Sequence, residues 1–102
     1  MARKQNTDRS GSNWTEAIKK AVWNKGRVIP EYSSDIWRWD KCGLVMKFSE
    51  HGNRDSENGW EIDHIDPVAN GGSDNLDNLQ PLNWKNNADK GDSLNWSCPS
   101  RK

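Results

Sequence analysis

The chain has 102 residues, a formal net charge of zero and a hydrophobic content of 31%. This length allows one domain with a small core, and the absence of a long apolar run leads us to expect neither a signal peptide nor a membrane span. A hydrophobic content this low is typical of disordered chains. The chain contains seven tryptophans, however, and each can bury about 200 Å² of surface, so we expect a folded domain whose core is built on tryptophan.

Charge is distributed unevenly along the chain. Residues 1–30 contain seven basic and two acidic side chains, a net charge of +5, whereas residues 31–102 contain eight basic and thirteen acidic side chains, a net charge of −5. A basic segment joined to an acidic body can hold a polyanion while carboxylates remain for cations. For Arg3, Lys4 and Arg9 alone, a solvated tail of mixed charge is an equally good interpretation.

The N-terminal part of the chain is predicted to be a flexible basic arm followed by a helix. Residues 1–13 show no apolar period. Apolar residues recur at steps of three and four positions over residues 14–25, which predicts an amphipathic helix. We expect Ser12 or Asn13 to cap the start of this helix and Gly26 to end it.

Two strands, a loop and a second helix are predicted for the remainder. Residues 43–48 form the first predicted strand, and residues 60–65 form the second, which Pro67 ends. A polar, glycine-containing loop follows. The second helix is predicted over residues 81–89, with Pro81 in its first turn.

The most informative pattern lies in the second half of the chain, and its parts are Glu61-Ile62-Asp63-His64-Ile65-Asp66-Pro67, Gly71-Gly72, Asn78-Leu79-Gln80, Asn87 and Lys90. It places a carboxylate beside an imidazole on a short apolar strand, and a carboxamide arrives from a later helix. A hard metal ion needs oxygen ligands, and phosphodiester hydrolysis needs a base that takes a proton from water. The pattern contains both.

This spacing resembles that of the HNH endonucleases, whose fold is the ββα-metal finger, also called the His-Me finger. The motif covers residues 60–92 within a predicted core of residues 43–92. The resemblance implies an α+β fold, in which a small ββα-metal core carries an N-terminal helix and a tryptophan-rich extension. Residues 14–102 would form a single HNH nuclease domain behind the arm of residues 1–13.

The resemblance also implies roles for the polar residues of the motif. His64 would be the general base that activates the attacking water, and Asp63 and Asn87 would be metal ligands. Asn78 would support catalysis by tying the loop to the strand and orienting His64. Asn86 is a rival for Asn87, but a spacing of nine residues from Asn78 favours Asn87.

Oxygen ligands from one carboxylate and one amide suit Mg²⁺ or Mn²⁺ better than Zn²⁺. We therefore expect one divalent metal ion as the cofactor. Glu61 shares a strand face with Asp63 and is a candidate to orient a metal-bound water. Lys85 and Lys90 either bind substrate phosphate or form a solvated helix face. His51, in the connecting loop, is interpreted as an exposed turn residue instead of a ligand.

A structural zinc is not expected. Many HNH proteins hold zinc with two Cys-x-x-Cys pairs, but Cys42 and Cys98 belong to no such pair. The positions where the second pair is often found are Asn83 and Asn86. We expect tryptophan packing to replace the zinc, both thiols to be reduced, and the protein to be cytoplasmic.

Four tryptophans have two interpretations, and they are Trp37, Trp39, Trp60 and Trp84. Each could stack on an exposed base, which contributes about 1–3 kcal/mol per base, or belong to the core. We favour the core for Trp39 and Trp60.

The predicted function is that of a metal-dependent endonuclease that hydrolyses phosphodiester bonds of DNA, by nicking or by double-strand cleavage. A non-catalytic nucleic-acid-binding module of the same fold is one alternative, although a pure binding module has no need for a base. A ribonuclease or nuclease toxin is another. The pattern leaves sequence specificity, oligomeric state and the choice between DNA and RNA open.

Overall fold

In the computed structural model, which describes residues 3–100, the chain forms two α-helices and five strands. In chain order the described elements are α1 (Glu16–Trp23), β1 (Arg27–Val28), β2 (Trp37–Trp39), β3 (Val45–Lys47), β4 (Trp60–His64), β5 (Leu79–Asn83) and α2 (Trp84–Lys90). Strands β1, β2 and β3 form one antiparallel sheet in that order, and β4 and β5 form a second. Neither described helix has the length and apolar character needed to cross a bilayer.

The first helix is shorter than predicted. Its cap is Thr15, not Ser12 or Asn13, because the Thr15 hydroxyl accepts a hydrogen bond from the backbone N–H of Ile18 at 3.2 Å. The helix ends at Trp23, before the predicted end. Its last two residues, Val22 and Trp23, are buried and form part of the core.

The strand pair that carries the motif differs from the predicted pair. The prediction named residues 43–48 and 60–65 as the two strands of the motif core, whereas β4 pairs with β5 and β3 belongs to the other sheet. Pro81 therefore lies in a strand and not in the first turn of a helix, which a two-stranded sheet tolerates because both its strands are edge strands. Helix α2 begins after Asn83, whose side chain accepts a hydrogen bond from the Lys85 backbone at 3.0 Å. The local order is strand, strand, helix.

Tryptophan contributes the two largest side chains of the core, Trp23 and Trp60. The buried cluster also contains Val22, Met46, Ile62 and Leu79. The rings of Trp23 and Trp60 lie 5.1 Å apart, centroid to centroid. Both fully buried tryptophans have a partner for the indole N–H, since Trp23 donates to the Ser34 carbonyl at 2.9 Å and Trp60 donates to the Phe48 carbonyl at 3.1 Å.

The core prediction holds for Trp60 and is wrong for Trp39, which is only half-buried. The Arg27 guanidinium lies 5.1 Å from the centroid of the Trp39 ring, so the ring is covered by a cation. Trp37 and Trp84 are also half-buried. Base stacking by these three rings stays a prediction.

A buried carboxylate connects the two sheets. Asp40 is fully buried, and its Oδ1 accepts hydrogen bonds from the backbone N–H groups of Cys42 and Leu44. Its Oδ2 accepts from the backbone of Asn83 at 3.0 Å and from the side chain of Asn86 at 2.8 Å. The two asparagines at the positions expected for a cysteine pair are therefore held by hydrogen bonds to one aspartate.

The prediction of two reduced thiols is wrong. Cys42 and Cys98 form a disulfide across a sequence separation of 56, which ties the C-terminal segment to the β2–β3 turn. In the same segment, the Trp96 indole donates to the Asp89 carboxylate at 2.9 Å. Disulfides persist mainly in oxidising compartments, so the cytoplasmic prediction loses the support that it drew from reduced thiols.

Described residues of the N-terminal arm lie against the domain, although the sequence predicts a flexible segment. The Asn6 side-chain oxygen accepts a hydrogen bond from the backbone N–H of Ile62 in β4 at 2.8 Å. Thr7 is 2% exposed. The backbone N–H of Arg9 donates to the Asp74 carboxylate at 3.1 Å. The first two residues of the predicted arm lie outside the described residues.

Candidate active site

A cleft of about 390 Å³ lies where the N-terminal arm, β4 and α2 meet. Three side chains that the sequence predicts to act together, Asp63, His64 and Asn87, line this cleft. Adjacent positions at the end of β4 supply the first two, and the middle of α2 supplies the third. Asn86, the rival ligand, is fully buried on Asp40 and does not line the cleft.

The imidazole of His64 is held on one side by a carboxylate. Its Nε2 lies 2.7 Å from Oδ1 of Asp74, and the residue is 4% exposed. The Trp14 ring packs against the imidazole with 5.5 Å between centroids. With Nε2 engaged, Nδ1 is the nitrogen that remains for a proton transfer.

The loop that delivers Asp74 is closed by Asn78. The Asn78 side chain accepts a hydrogen bond from the Asp66 backbone N–H at 2.9 Å and donates to the Ser73 carbonyl at 2.8 Å. It thereby makes the contacts expected for a residue that ties the loop to the strand. Gly72 is required here, since a Cβ at this position would lie 1.7 Å from the Asp66 carbonyl oxygen.

Asp63 is a buried carboxylate with two donors. Its Oδ2 accepts a hydrogen bond from Gln80 at 2.9 Å, and its Oδ1 lies 3.2 Å from the Lys90 ammonium. Burial raises the pKa of Asp63 above its ordinary value, while the Gln80 amide and the Lys90 charge act in the opposite direction. The protein thus keeps a carboxylate in a desolvated position beside a compensating cation.

Lys90 is not part of a solvated helix face, because it is 3% exposed. Its ammonium donates to the His64 carbonyl at 3.0 Å in addition to its contact with Asp63. Lys85 does not line the cleft and pairs with Glu57 at the surface.

Asn87 is oriented by a second carboxylate. The Asn87 side-chain N–H donates to Oε1 of Glu61 at 2.8 Å. Glu61 is 1% exposed, and the Arg54 guanidinium donates to both of its oxygens at 2.8 and 2.9 Å. Glu61 therefore contacts a predicted metal ligand and does not present a free oxygen to a metal-bound water.

Two side chains of the cleft carry oxygen atoms of the type that hard divalent cations bind. With Nδ2 of Asn87 bound to Glu61, the amide Oδ1 is the atom that can bind a cation, and Asp63 adds a carboxylate in the same cleft. Within residues 3–100 no cluster of three His, Cys, Asp or Glu side chains has the geometry of a metal site. The candidate ligands are therefore one carboxylate and one amide.

His51 is not the exposed turn residue that the sequence indicates. Its ring packs on Trp60 with 4.7 Å between centroids. Burial, together with the Lys19 charge, lowers the pKa of His51 to about 4, against the opposing effect of the Glu16 and Glu61 charges. Among the described side chains, its Nε2 is one of two buried polar atoms without a hydrogen-bond partner.

Two functional candidates were missed by sequence reasoning. The spacing between His64 and Asp74 matches no pattern that predicts their contact. Asp74 does, however, follow the Gly71-Gly72 turn that the motif contains. Arg54 lies in the long connection between β3 and β4, where the sequence carries no periodic signal.

The comparisons with known proteins agree with the motif. A family model described as HNH endonuclease matches residues 41–93, which is just over half of the 102-residue chain. The matched segment contains β4, β5 and α2 with all the predicted site residues. No curated protein and no solved structure matches the chain. The chain belongs to the HNH endonuclease family.

Proposed function

We propose that this protein is a divalent-metal-dependent endonuclease that hydrolyses phosphodiester bonds of DNA in the cleft of Asp63, His64 and Asn87. The observation that carries the proposal is that His64, held by Asp74 at 2.7 Å, lies in the same cleft as the side chains of Asp63 and Asn87, which carry the oxygen atoms proposed to bind the metal. Family membership supports nuclease activity. The order of β4, β5 and α2 supports a ββα-metal core.

His64 acts as the general base in this proposal. Asp74 accepts the Nε2–H of the neutral imidazole, which leaves the lone pair on Nδ1. Nδ1 takes a proton from water as the water oxygen forms a bond to phosphorus. The bond from phosphorus to the sugar oxygen breaks, and that oxygen takes a proton from solvent.

Asp63 and Asn87 would hold Mg²⁺ or Mn²⁺. When bound, such a cation stabilises the negative charge that develops on the phosphate. Glu61 keeps the Asn87 amide oxygen turned away from itself by accepting the amide N–H. We assign Lys90 to compensating the charge of Asp63, because its ammonium already contacts that carboxylate and the His64 carbonyl.

The phosphate contact predicted for Lys85 is compatible with its position at the surface. Its ammonium pairs with Glu57, which is exposed, and exposed pairs of this kind contribute little energy, so an incoming phosphate can replace the carboxylate. We therefore keep Lys85 as a proposed contact to a phosphate of the nucleic acid outside the cleft.

Supercoiled plasmid tests the proposal directly. The purified protein should convert it to nicked or linear product with Mg²⁺ or Mn²⁺, and EDTA should stop the reaction. Parallel reactions with Ni²⁺, Zn²⁺ and a single-stranded RNA define the metal and the substrate. Absence of cleavage of any nucleic acid with all four metals, in protein shown to be folded, would contradict the proposal.

A further inference from the structure

The N-terminal arm forms one wall of the candidate active-site cleft. Arg3, Gln5 and Asn6 line the same cleft as Asp63 and Asn87. The sequence places these arm residues more than fifty positions before β4, so nothing in the spacing of the motif predicts their position.

The arm is fixed to the site at separate points. Asn6, with a left-handed backbone at φ 56°, accepts a hydrogen bond from the Ile62 N–H, one residue before the predicted ligand Asp63. Thr7 is buried. The backbone of Arg9 donates to the carboxylate that holds His64. Residues 6 and 9, which follow Arg3 closely in the chain, are thus held by hydrogen bonds to β4 and to the carboxylate that contacts His64.

Arg3 lines the cleft, and among the described residues its guanidinium contacts no carboxylate. Its Nη1 donates to the Thr7 carbonyl at 2.7 Å, to the Thr7 hydroxyl at 3.3 Å and to the Lys4 carbonyl at 3.4 Å. These contacts position the guanidinium and leave its charge uncompensated. By contrast, Arg54 is paired with Glu61, and the buried Lys90 ammonium with a carboxylate of β4.

An uncompensated guanidinium beside a phosphodiesterase site is suited to a phosphate oxygen. Nε and Nη2 of Arg3 are donors without a described protein acceptor, and a guanidinium binds phosphate through paired donors. We propose that Arg3 is a phosphate-binding residue of the cleft and that its ligand is the sugar–phosphate backbone of the nucleic-acid substrate. This inference rests on the proposed function.

Binding without turnover tests it. His64→Ala protein is titrated into a fluorescein-labelled DNA duplex with Mg²⁺ at several KCl concentrations, and the anisotropy is measured. Adding Arg3→Ala should weaken binding about five- to tenfold at low salt and reduce the slope of log K against log salt by about 0.9, the value for one phosphate contact. Arg3→Lys keeps the charge but not the paired donors, and should lose less.

Lys4→Ala is the matched control. Lys4 is the next residue, carries the same charge, is exposed and does not line the cleft, so its removal should change affinity less than twofold and leave the salt slope unchanged. Asn6→Ala removes the hydrogen bond between the arm and β4. This substitution should weaken DNA binding when Arg3 is present, and should have no further effect when Arg3 is already replaced by alanine. Melting temperatures show that each variant is folded.

Equal effects of Arg3→Ala and Lys4→Ala on affinity and on salt slope would overturn the inference. If the wild-type protein still cuts plasmid in that case, the proposed function stands and only the role of Arg3 fails. If the wild-type protein neither binds nor cuts nucleic acid, the proposed function fails together with it.

Discussion

His64 and Asp74 lie 2.7 Å apart, Nε2 to Oδ1, although they are ten residues apart in the chain and sit on different elements. The histidine ends β4, and the aspartate belongs to the loop that Asn78 closes. A base oriented by a third group is a recurring device of hydrolytic sites. The loop therefore does more than join two strands, since it carries the carboxylate that contacts Nε2 and leaves Nδ1 for the proposed proton transfer.

Asp74→Asn should lower the rate of DNA cleavage. The amide is a weaker acceptor for the imidazole N–H, and Asp74 is 39% exposed, so water partly replaces the lost contact. We expect a decrease of about tenfold in single-turnover rate at saturating DNA. Asp77→Asn is the control, because this exposed carboxylate lies in the same loop region. Equal rates for the two variants would remove Asp74 from the mechanism.

Glu61→Gln should weaken metal binding. A glutamine cannot accept from both Arg54 donors and from Asn87, so the Asn87 amide loses its fixed orientation. We expect the Mn²⁺ dissociation constant to rise by about ten- to hundredfold. Calorimetry or electron paramagnetic resonance measures this without turnover.

Glu57→Gln is the matched control for this variant. Glu57 is an exposed carboxylate that pairs with Lys85 outside the cleft, so its loss should leave Mn²⁺ affinity unchanged. Because Glu61 is buried, the melting temperature of each variant is measured as well. Wild-type Mn²⁺ affinity in a folded Glu61→Gln protein would show that Asn87 needs no such support or binds no metal.

The site was predictable to the extent that it depends on short-range spacing. Asp63, His64 and Asn87 follow the family pattern, and the structure brings them to one cleft. The contacts of Asp74 and Arg54 were not predictable, because each depends on how a loop returns to β4. The residue types in a loop follow no periodic pattern from which one could predict where the loop contacts a strand.

The strand pairing was missed for a comparable reason. Residues 79–83 contain Pro81, which on local grounds favours a helix start, but pairing with β4 decides their structure. The disulfide was missed because Cys42 and Cys98 approach only when the tail folds back. Composition indicated that tryptophans contribute to the core, whereas which tryptophans are buried depends on packing between elements.

Removal of the disulfide should destabilise the fold and leave the cleft intact. Closing a loop of this length stabilises the folded state by about 4 kcal/mol in the chain-entropy model. We expect Cys98→Ser, or reduction with dithiothreitol, to lower the free energy of unfolding by about 2–4 kcal/mol, with cleavage unchanged at low temperature. Ser97→Ala is the control. Two titratable thiols in the native, oxidant-treated protein would contradict the disulfide.

Stability should fall between pH 6.5 and pH 4 because of His51. The pKa of His51 is lowered from 6.5 to about 4 in the folded protein. The unfolded chain therefore takes up the proton first, and the stability present above pH 6.5 is lost as the pH falls towards 4. The raised pKa of Asp63 acts with the opposite sign at the acid end of this range.

His51→Gln isolates this contribution. The glutamine of the variant cannot take up a proton. Between pH 7 and pH 4.5, the free energy of unfolding measured in urea should therefore fall less in the variant than in the wild type. The expected difference between the two falls is roughly 2 kcal/mol after allowance for partial exposure. Lys19, Glu16 and Glu61 face His51 and are kept in both proteins. Parallel pH profiles for the two proteins would contradict burial of a neutral imidazole.

The most direct test of the mechanism compares wild-type and His64→Ala protein in plasmid cleavage, with Mn²⁺ binding measured on the same samples. His64→Ala removes the proposed base and leaves Asp63 and Asn87 in the cleft. We predict that cleavage slows by at least about a hundredfold, while Mn²⁺ affinity stays within about twofold of the wild-type value, since the metal ligands are unchanged. Cleavage by His64→Ala at the wild-type rate would contradict the account.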